Sequence, residues 1–297
     1  MAFFFEVLIG GLLAGVMYAL VALGFVLIYK ASGVFNFAQG AMVFLAALTC
    51  VGLAEMGIPL WLSILLTMAV MVVLGLAIEK FVLRKLVAQN EITLFMATIG
   101  LTFFIDGLAQ GIWGATVRRL DLGIEDVPLE SLMDATGIAV SQFDLFAAGV
   151  CAVLVTGLAL FFSRTRIGRA LRAVADDHQA ALSVGIPLQQ IWGIVWAVAG
   201  FVALVAGLLW GARNGVQFAL TFVALKALPV LILGGFTSIP GAIVGGLVIG
   251  ASEKLAEVYI GPMVGGGIEG WFPYVLALGF LLIRPEGLFG ERVIRRI

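Results

Sequence analysis

The stretch "FFSRTRIGRALRAVADDHQAALSVGIP", Phe161–Pro187, carries four arginines, two aspartates and the single histidine, His178, of a chain that is otherwise largely apolar. Within it Ile167, Leu171, Val174 and Leu182 recur at helical spacing with Ala181 on the same side, while Arg166, Arg169, Arg172, Asp176 and Asp177 take much of the remainder. The pattern predicts an amphipathic helix of about five turns, which cannot span a bilayer and so lies at its surface. Ser163 or Thr165 can cap its start, and Gly185 followed by Pro187 supplies a stop. Such a helix either floats on anionic headgroups or docks onto a cytoplasmic protein. Lipid association accounts for the arginines but not for the small side chains of "AALSVGI".

On either side the chain is oil. Its 297 residues are 62% hydrophobic and 12% charged, against roughly 45–50% and about 25% in a soluble domain. Apolar runs long enough to cross about 30 Å of hydrocarbon recur throughout, near residues 4–29, 36–55, 60–79, 92–113, 143–162, 191–212, 218–236, 240–259 and 271–283. The expected fold is an all-α polytopic bundle of eight or nine transmembrane helices. It forms a single transmembrane domain over residues 1–297, with a cytoplasmic helix at about 164–186 and an external loop at about 114–142. The first run is longer than the apolar stretch of a signal peptide and is expected to remain as the first span.

Charge asymmetry orients the bundle. Lys30, Lys80, Arg84, Lys85, Arg164, Arg166, Arg169, Arg172, Arg284, Arg292, Arg295 and Arg296 fall on one side of this count, and Arg118, Arg119 and Arg213 on the other with the acid-rich "LDLGIEDVPLESLMD". The N-terminus is therefore expected outside and the C-terminus in the cytoplasm. A net charge of -1 excludes the basic balance of a nucleic-acid binder. Cys50 and Cys151 both lie inside apolar runs and read as core residues.

Glycine supplies 38 residues, much of it patterned. Gly11, Gly15 and Ala19, then Ala203, Gly207 and Gly211, then Ala242, Gly246 and Gly250 form stripes of small residues that let helix backbones approach. "VFNFAQGAMV" at Val34–Val43 resembles "GFTSIPGAIV" at Gly235–Val244, a weak internal repeat of the kind found in transporters with two related halves.

Ionisable groups inside spans are costly and face protein or a water-filled path. Asp106 and Lys226 are the two that stand out, either as a buried pair or as separate path-lining groups. Asn36 and Gln39, at the break before the second span, offer polar groups and helix-terminal amides to a solute or simply cap a helix. No nucleophile–base pair, metal spacing or G-x-x-x-x-G-K-[ST] loop is present, so neither an enzyme nor an ATPase site is expected.

Four stretches together, "GVMYALVALGFVLIYKASGVFNFAQGAMV", "RTRIGRALRAVADDHQAALSVGI", "ALPVLILGGFTSIPGAIVGGLVIG" and "RPEGLFG", closely resemble the LivH-type permease subunit of bacterial ABC importers for branched-chain amino acids, whose relatives carry urea, short amides and other small acids. The resemblance covers almost the whole chain. It implies a permease in the bacterial inner membrane that pairs with a LivM-type second permease, two ABC ATPase subunits that use the ATP, and a periplasmic substrate-binding protein. No cofactor of its own is implied. It also implies that the cytoplasmic segment couples to the ATPase through Arg166, Ile167, Arg169, Leu171, Asp176, Ala180, Ala181, Gly185 and Ile186. That segment departs from the longer Glu-Ala-Ala signature of other importer permeases, keeping Ala180-Ala181 and Gly185-Ile186. The rival reading is a self-sufficient secondary transporter or channel, which would also be a polytopic bundle with buried charges.

Overall fold

The structure, a computed structural model, describes residues 2–86, 89–176 and 178–290, with only the backbone at positions 2, 91, 135, 176, 178 and 179. Asp177, Arg292, Arg295 and Arg296 lie outside the described residues, as does the side chain of Asp176.

Helices appear at all nine apolar runs, because in hydrocarbon only a helix satisfies its own backbone. In chain order they are α1 (Ala2–Ser32), α2 (Gln39–Glu55), α3 (Leu60–Phe81), α4 (Glu91–Trp113), the short α5 (Glu130–Thr136), α6 (Gln142–Arg164), α7 (Arg166–Asp176), α8 (His178–Ser183), α9 (Leu188–Asn214), α10 (Val223–Gly234), α11 (Ile239–Tyr259), the one-turn α12 (Gly261–Val264) and α13 (Phe272–Ile283). Among the described residues six helices, α1, α3, α4, α6, α9 and α11, are long and apolar enough to span, while Gln39–Glu55, Phe218–Gly234 and Phe272–Ile283 are shorter apolar helices. The last has 12 residues, about 18 Å at 1.5 Å per residue, so it reaches only part-way through the hydrocarbon. No strand is present among the described residues beyond the isolated bridges Arg118–Val216 and Pro128–Ser141.

The chain divides into two compact units, one of residues 1–22, 123–155 and 225–297, the other of 23–122 and 156–224. In the second unit α2 is the core element, buried from Gln39 to Gly52 against α3, α4 and α9. The stripe of Gly207 and Gly211 on α9 lies on α2, where a Cβ at Gly207 would stand 2.5 Å from the Val43 carbonyl. By contrast α3 leaves Leu65, Val73 and Leu76 exposed. Trp192, in the first turn of α9, donates from Nε1 to the Ala31 carbonyl at 3.1 Å and so ties down the end of α1.

The first unit contains the N-terminal part of α1 with α10 to α13. Pro229 sits inside α10 and lacks the N–H that would bond the carbonyl of Leu225. The Tyr274 hydroxyl of α13 donates to that carbonyl at 2.8 Å, refilling the freed acceptor.

The two segments matched in the sequence are built alike at their breaks. Gly33 (φ 68) ends α1 and Gly235 (φ 101) ends α10, each with its N–H on the carbonyl four residues back. A polar side chain then organises the restart: Asn36 Oδ1 accepts from the Ala38 N–H, and Ser238 Oγ accepts from the Gly241 N–H. The glycines are one residue out of register in the sequence match, so the likeness is of construction rather than of position.

Candidate functional site

Two buried polar clusters interrupt the apolar interior. The first follows from the glycine stripes. Gly11 and Gly15 of α1 lie against Gly246 and Gly250 of α11, where a Cβ on Gly246 would stand 2.5 Å from the Gly15 carbonyl and one on Gly11 would stand 2.7 Å from that of Gly250. Tyr18 and Glu253 each follow a stripe glycine by three residues, Gly15 and Gly250, so they flank the contact and meet across it. The Tyr18 hydroxyl donates to Glu253 Oε1 at 3.0 Å. From α10, Lys226 Nζ reaches Glu253 Oε1 at 3.2 Å and Tyr18 Oη at 3.4 Å. The Glu253 side chain is 2% exposed and that of Lys226 36%. Among the described residues Glu253 Oε2 is buried without a hydrogen-bond partner.

The second cluster surrounds the break between α1 and α2. Asn36 and Gln39 are both fully buried, with Asn36 Nδ2 donating to Gln39 Oε1 at 3.2 Å. Thr98 of α4 donates to the Phe35 carbonyl at 3.1 Å, holding the break against that helix. Gly40 packs on the carbonyl of Thr221, and the Thr221 hydroxyl donates to Asp106 Oδ1 at 3.0 Å. A recess of about 270 Å³ opens beside the break between Tyr29, Val34, Phe35, Ile92 and Phe95.

Of the candidate polar residues, Asn36 and Gln39 touch directly, while Asp106 bonds Thr221, whose carbonyl packs on Gly40. Lys226 belongs to the other cluster. Of the two readings left open for Asp106 and Lys226, a mutual pair or separate roles, the observed partners fit the second: Lys226 takes Glu253 as its carboxylate, because α11 delivers that residue beside it, and Asp106 is held by the Thr221 hydroxyl. Sequence reading missed Tyr18, Thr221 and Glu253. Glu253 neighbours Lys254 and Glu257 near a span end and so looks like a residue at the membrane surface. The signal that would have found it is its helical phase, on the same face as Gly246 and Gly250.

Gln39 Nε2 is buried without a partner among the described residues and lies against Gly24 of α1. A methyl group there would evict the amide. Gly24→Ala is expected to lower stability by about 1–3 kcal/mol through overpacking, read as a fall in Tm of the detergent-purified protein. Adding Gln39→Ala is expected to restore most of that Tm, and no recovery would refute the contact.

The amphipathic segment is helical on both sides of Asp177, as α7 up to Asp176 and as α8 from His178. α6 runs on to Arg164, and Thr165 is the cap that starts α7, its Oγ1 accepting from the Gly168 N–H at 3.0 Å. Leu171 and Val174 are 3% and 0% exposed while Arg166, Arg169 and Arg172 face outward and Ile167 is half-buried. α7 and α8 both pack on α9. Leu182, expected on the buried side, is 54% exposed, and Ala181 takes the buried place. Gly185, at φ 82, closes α8 with the Ile186 N–H on the Ala181 carbonyl and the Gly185 N–H on that of Leu182. This is a Schellman stop whose left-handed residue favours glycine. Among the described residues no group of three His, Cys, Asp or Glu is placed to hold a metal ion.

Long apolar helices, polar clusters held at breaks and glycine contacts, and an amphipathic helix pair resting on the bundle define a multi-pass membrane transport subunit. Residues 7–283 match the family model described as "Branched-chain amino acid transport system / permease component", and the chain belongs to that family, the membrane permease components of ABC importers. It is 31% identical to the high-affinity branched-chain amino acid transport system permease protein BraD of Pseudomonas aeruginosa, over 99% of this chain and 98% of that one. LivH of Escherichia coli is 27% identical over 99% and 98% of the two chains. A probable LivH permease of Methanocaldococcus jannaschii is 29% identical over 96% and 92%. Among solved structures, PsaBC from Streptococcus pneumoniae in complex with Fab aligns at TM-score 0.48 and 14% identity over 92% of this chain and 89% of that chain. At that score the likeness carries no structural argument.

Proposed function

We propose that this permease component forms, with a LivM-type second permease, the inner-membrane path for branched-chain amino acids or related small polar solutes, with the N-terminus outside and the C-terminus in the cytoplasm. Two cytoplasmic ABC ATPases drive it and a periplasmic binding protein delivers the solute. The chain itself has no catalytic site in this reading. α7 and α8 are the coupling element that docks on an ATPase.

The observation that carries the reading is the division of labour along α7 and α8. Leu171 and Val174 are consumed by the chain's own bundle, the arginines point outward, and the tip of α8 leaves Leu182 54% and Val184 74% exposed. A short apolar tip beside arginines fits a groove with acidic edges better than a lipid surface, where the apolar stripe itself would be the anchor. Leu171→Asp buries an unpaired charge; it is expected to weaken docking and to abolish stimulation of ATP hydrolysis by loaded binding protein, while the spans still insert. Single cysteines at positions 180–186 are expected to crosslink to the ATPase in the assembled complex, which also fixes this face as cytoplasmic. If no position crosslinks, and activity instead tracks anionic lipid content, the helix pair is a lipid-floating element.

A further inference from the structure

The ion pair of the first polar cluster is buried at one end and open at the other. Tyr18 lies near the middle of the 31-residue α1, so the cluster is deep in the membrane. Glu253 is sealed, yet the side chain of Lys226 is 36% exposed. An ammonium at that depth is not left against hydrocarbon, so the face that carries Lys226 is turned to water or to protein. Its surroundings are specific. The Tyr274–Leu225 hydrogen bond fixes the backbone one residue before the lysine. Among the described residues two acceptors, Glu253 Oε1 and Tyr18 Oη, engage the ammonium, which has a third N–H to give.

We propose that Lys226 is a carboxylate-binding point of the translocation path, the residue that engages the carboxylate of the solute. This rests on the permease reading above. The lysine gives the carboxylate a charge-assisted hydrogen bond. Glu253 and Tyr18 hold the ammonium from behind and offset most of its charge. The solute is therefore gripped at a single point, weakly enough to be released.

The test uses the whole importer in proteoliposomes, with leucine as the probe and its cognate binding protein present. The background is Cys50→Ala with Cys151→Ala, both native thiols being fully buried. In Lys226→Cys, leucine uptake is expected to fall roughly tenfold to a hundredfold, the scale of one hydrogen bond to a charged group. Treatment with aminoethyl methanethiosulfonate joins the thiolate sulfur to an aminoethylthio group, with methanesulfinate leaving, and so returns an ammonium to the site. Uptake is expected to recover several-fold, whereas methyl methanethiosulfonate, which adds no charge, is expected to leave it low. Equal recovery with both reagents, failure of the site to react with either, or undiminished uptake in Lys226→Cys would each overturn the proposal. Lack of reaction would mark the lysine as a contact to a protein partner. Should Lys226→Cys fail to assemble, the same readings are taken with Glu253→Gln added, which removes the stranded carboxylate. The importer reading stands or falls separately, on whether the background complex takes up leucine in an ATP-dependent way.

Discussion

Lys226→Met is expected to cost about 3–5 kcal/mol, the scale of stranding one member of a buried ion pair. The loss is large because Glu253 is sealed, with a side chain 2% exposed, and among the described residues keeps only the Tyr18 hydroxyl as a donor once the ammonium is gone. Glu253→Gln is expected to cost less, since the ammonium it strands is 36% exposed and can find water or a partner. The double variant Lys226→Met, Glu253→Gln removes both charges, and it is expected to be more stable than Lys226→Met alone. The measurement is a double-mutant cycle on Tm in one detergent. If the double variant is no better than the worse single one, the two residues are not coupled. Asp106→Asn serves as the control, because Asp106 draws on Thr221 instead, and its effect is expected to add to that of Lys226→Met rather than offset it.

The second large effect belongs to the α1–α11 contact. Gly246→Leu drives a branched side chain into the Gly15 carbonyl and the Ala19 side chain, both backbone-anchored neighbours that cannot swing aside. Destabilisation above about 3 kcal/mol is expected, beyond ordinary overpacking, with little monodisperse protein surviving gentle heating. Gly10→Leu is the matched control: it sits one residue from Gly11 on the same helix, and nothing lies within 4 Å of its added Cβ. It is expected to be tolerated. Equal damage from both variants would show that glycine serves the flexibility of α1 and not its packing. Because lipid chains are as apolar as leucine, these helices are held by shape and by interhelical hydrogen bonds, and the glycine contact positions Tyr18 and Glu253 as well as joining the helices.

The apolar runs announced themselves because hydrocarbon permits little other than helix, and all nine became helices within a few residues of the expected bounds. The second run was read from residue 36 although α2 begins at Gln39. Asn36 spends its side chain on the Ala38 amide, a turn chemistry that hydropathy does not register. Leu171 and Val174 were legible as a buried stripe from their spacing, and Leu182 misled because at about 3.6 residues per turn it and its neighbour Ala181 both fall near that stripe, so spacing alone does not choose between them. The partner of Lys226 was illegible for a different reason. Pairing is a property of which helices touch, and the glycine stripes marked contact faces without saying which stripe faces which.

The bond from Trp192 to Ala31 has a further consequence for the polar break. Ala31 is moored to α9 at one side, and at the other Gln39 is wedged against Gly24, so residues 33–38 form a short loop with both ends fixed. Ordering a free backbone costs about 1–2 kcal/mol per residue. Here that entropy has already been surrendered in folding. Any group that meets Asn36 finds it preorganised, with no further entropic toll for ordering the break around it.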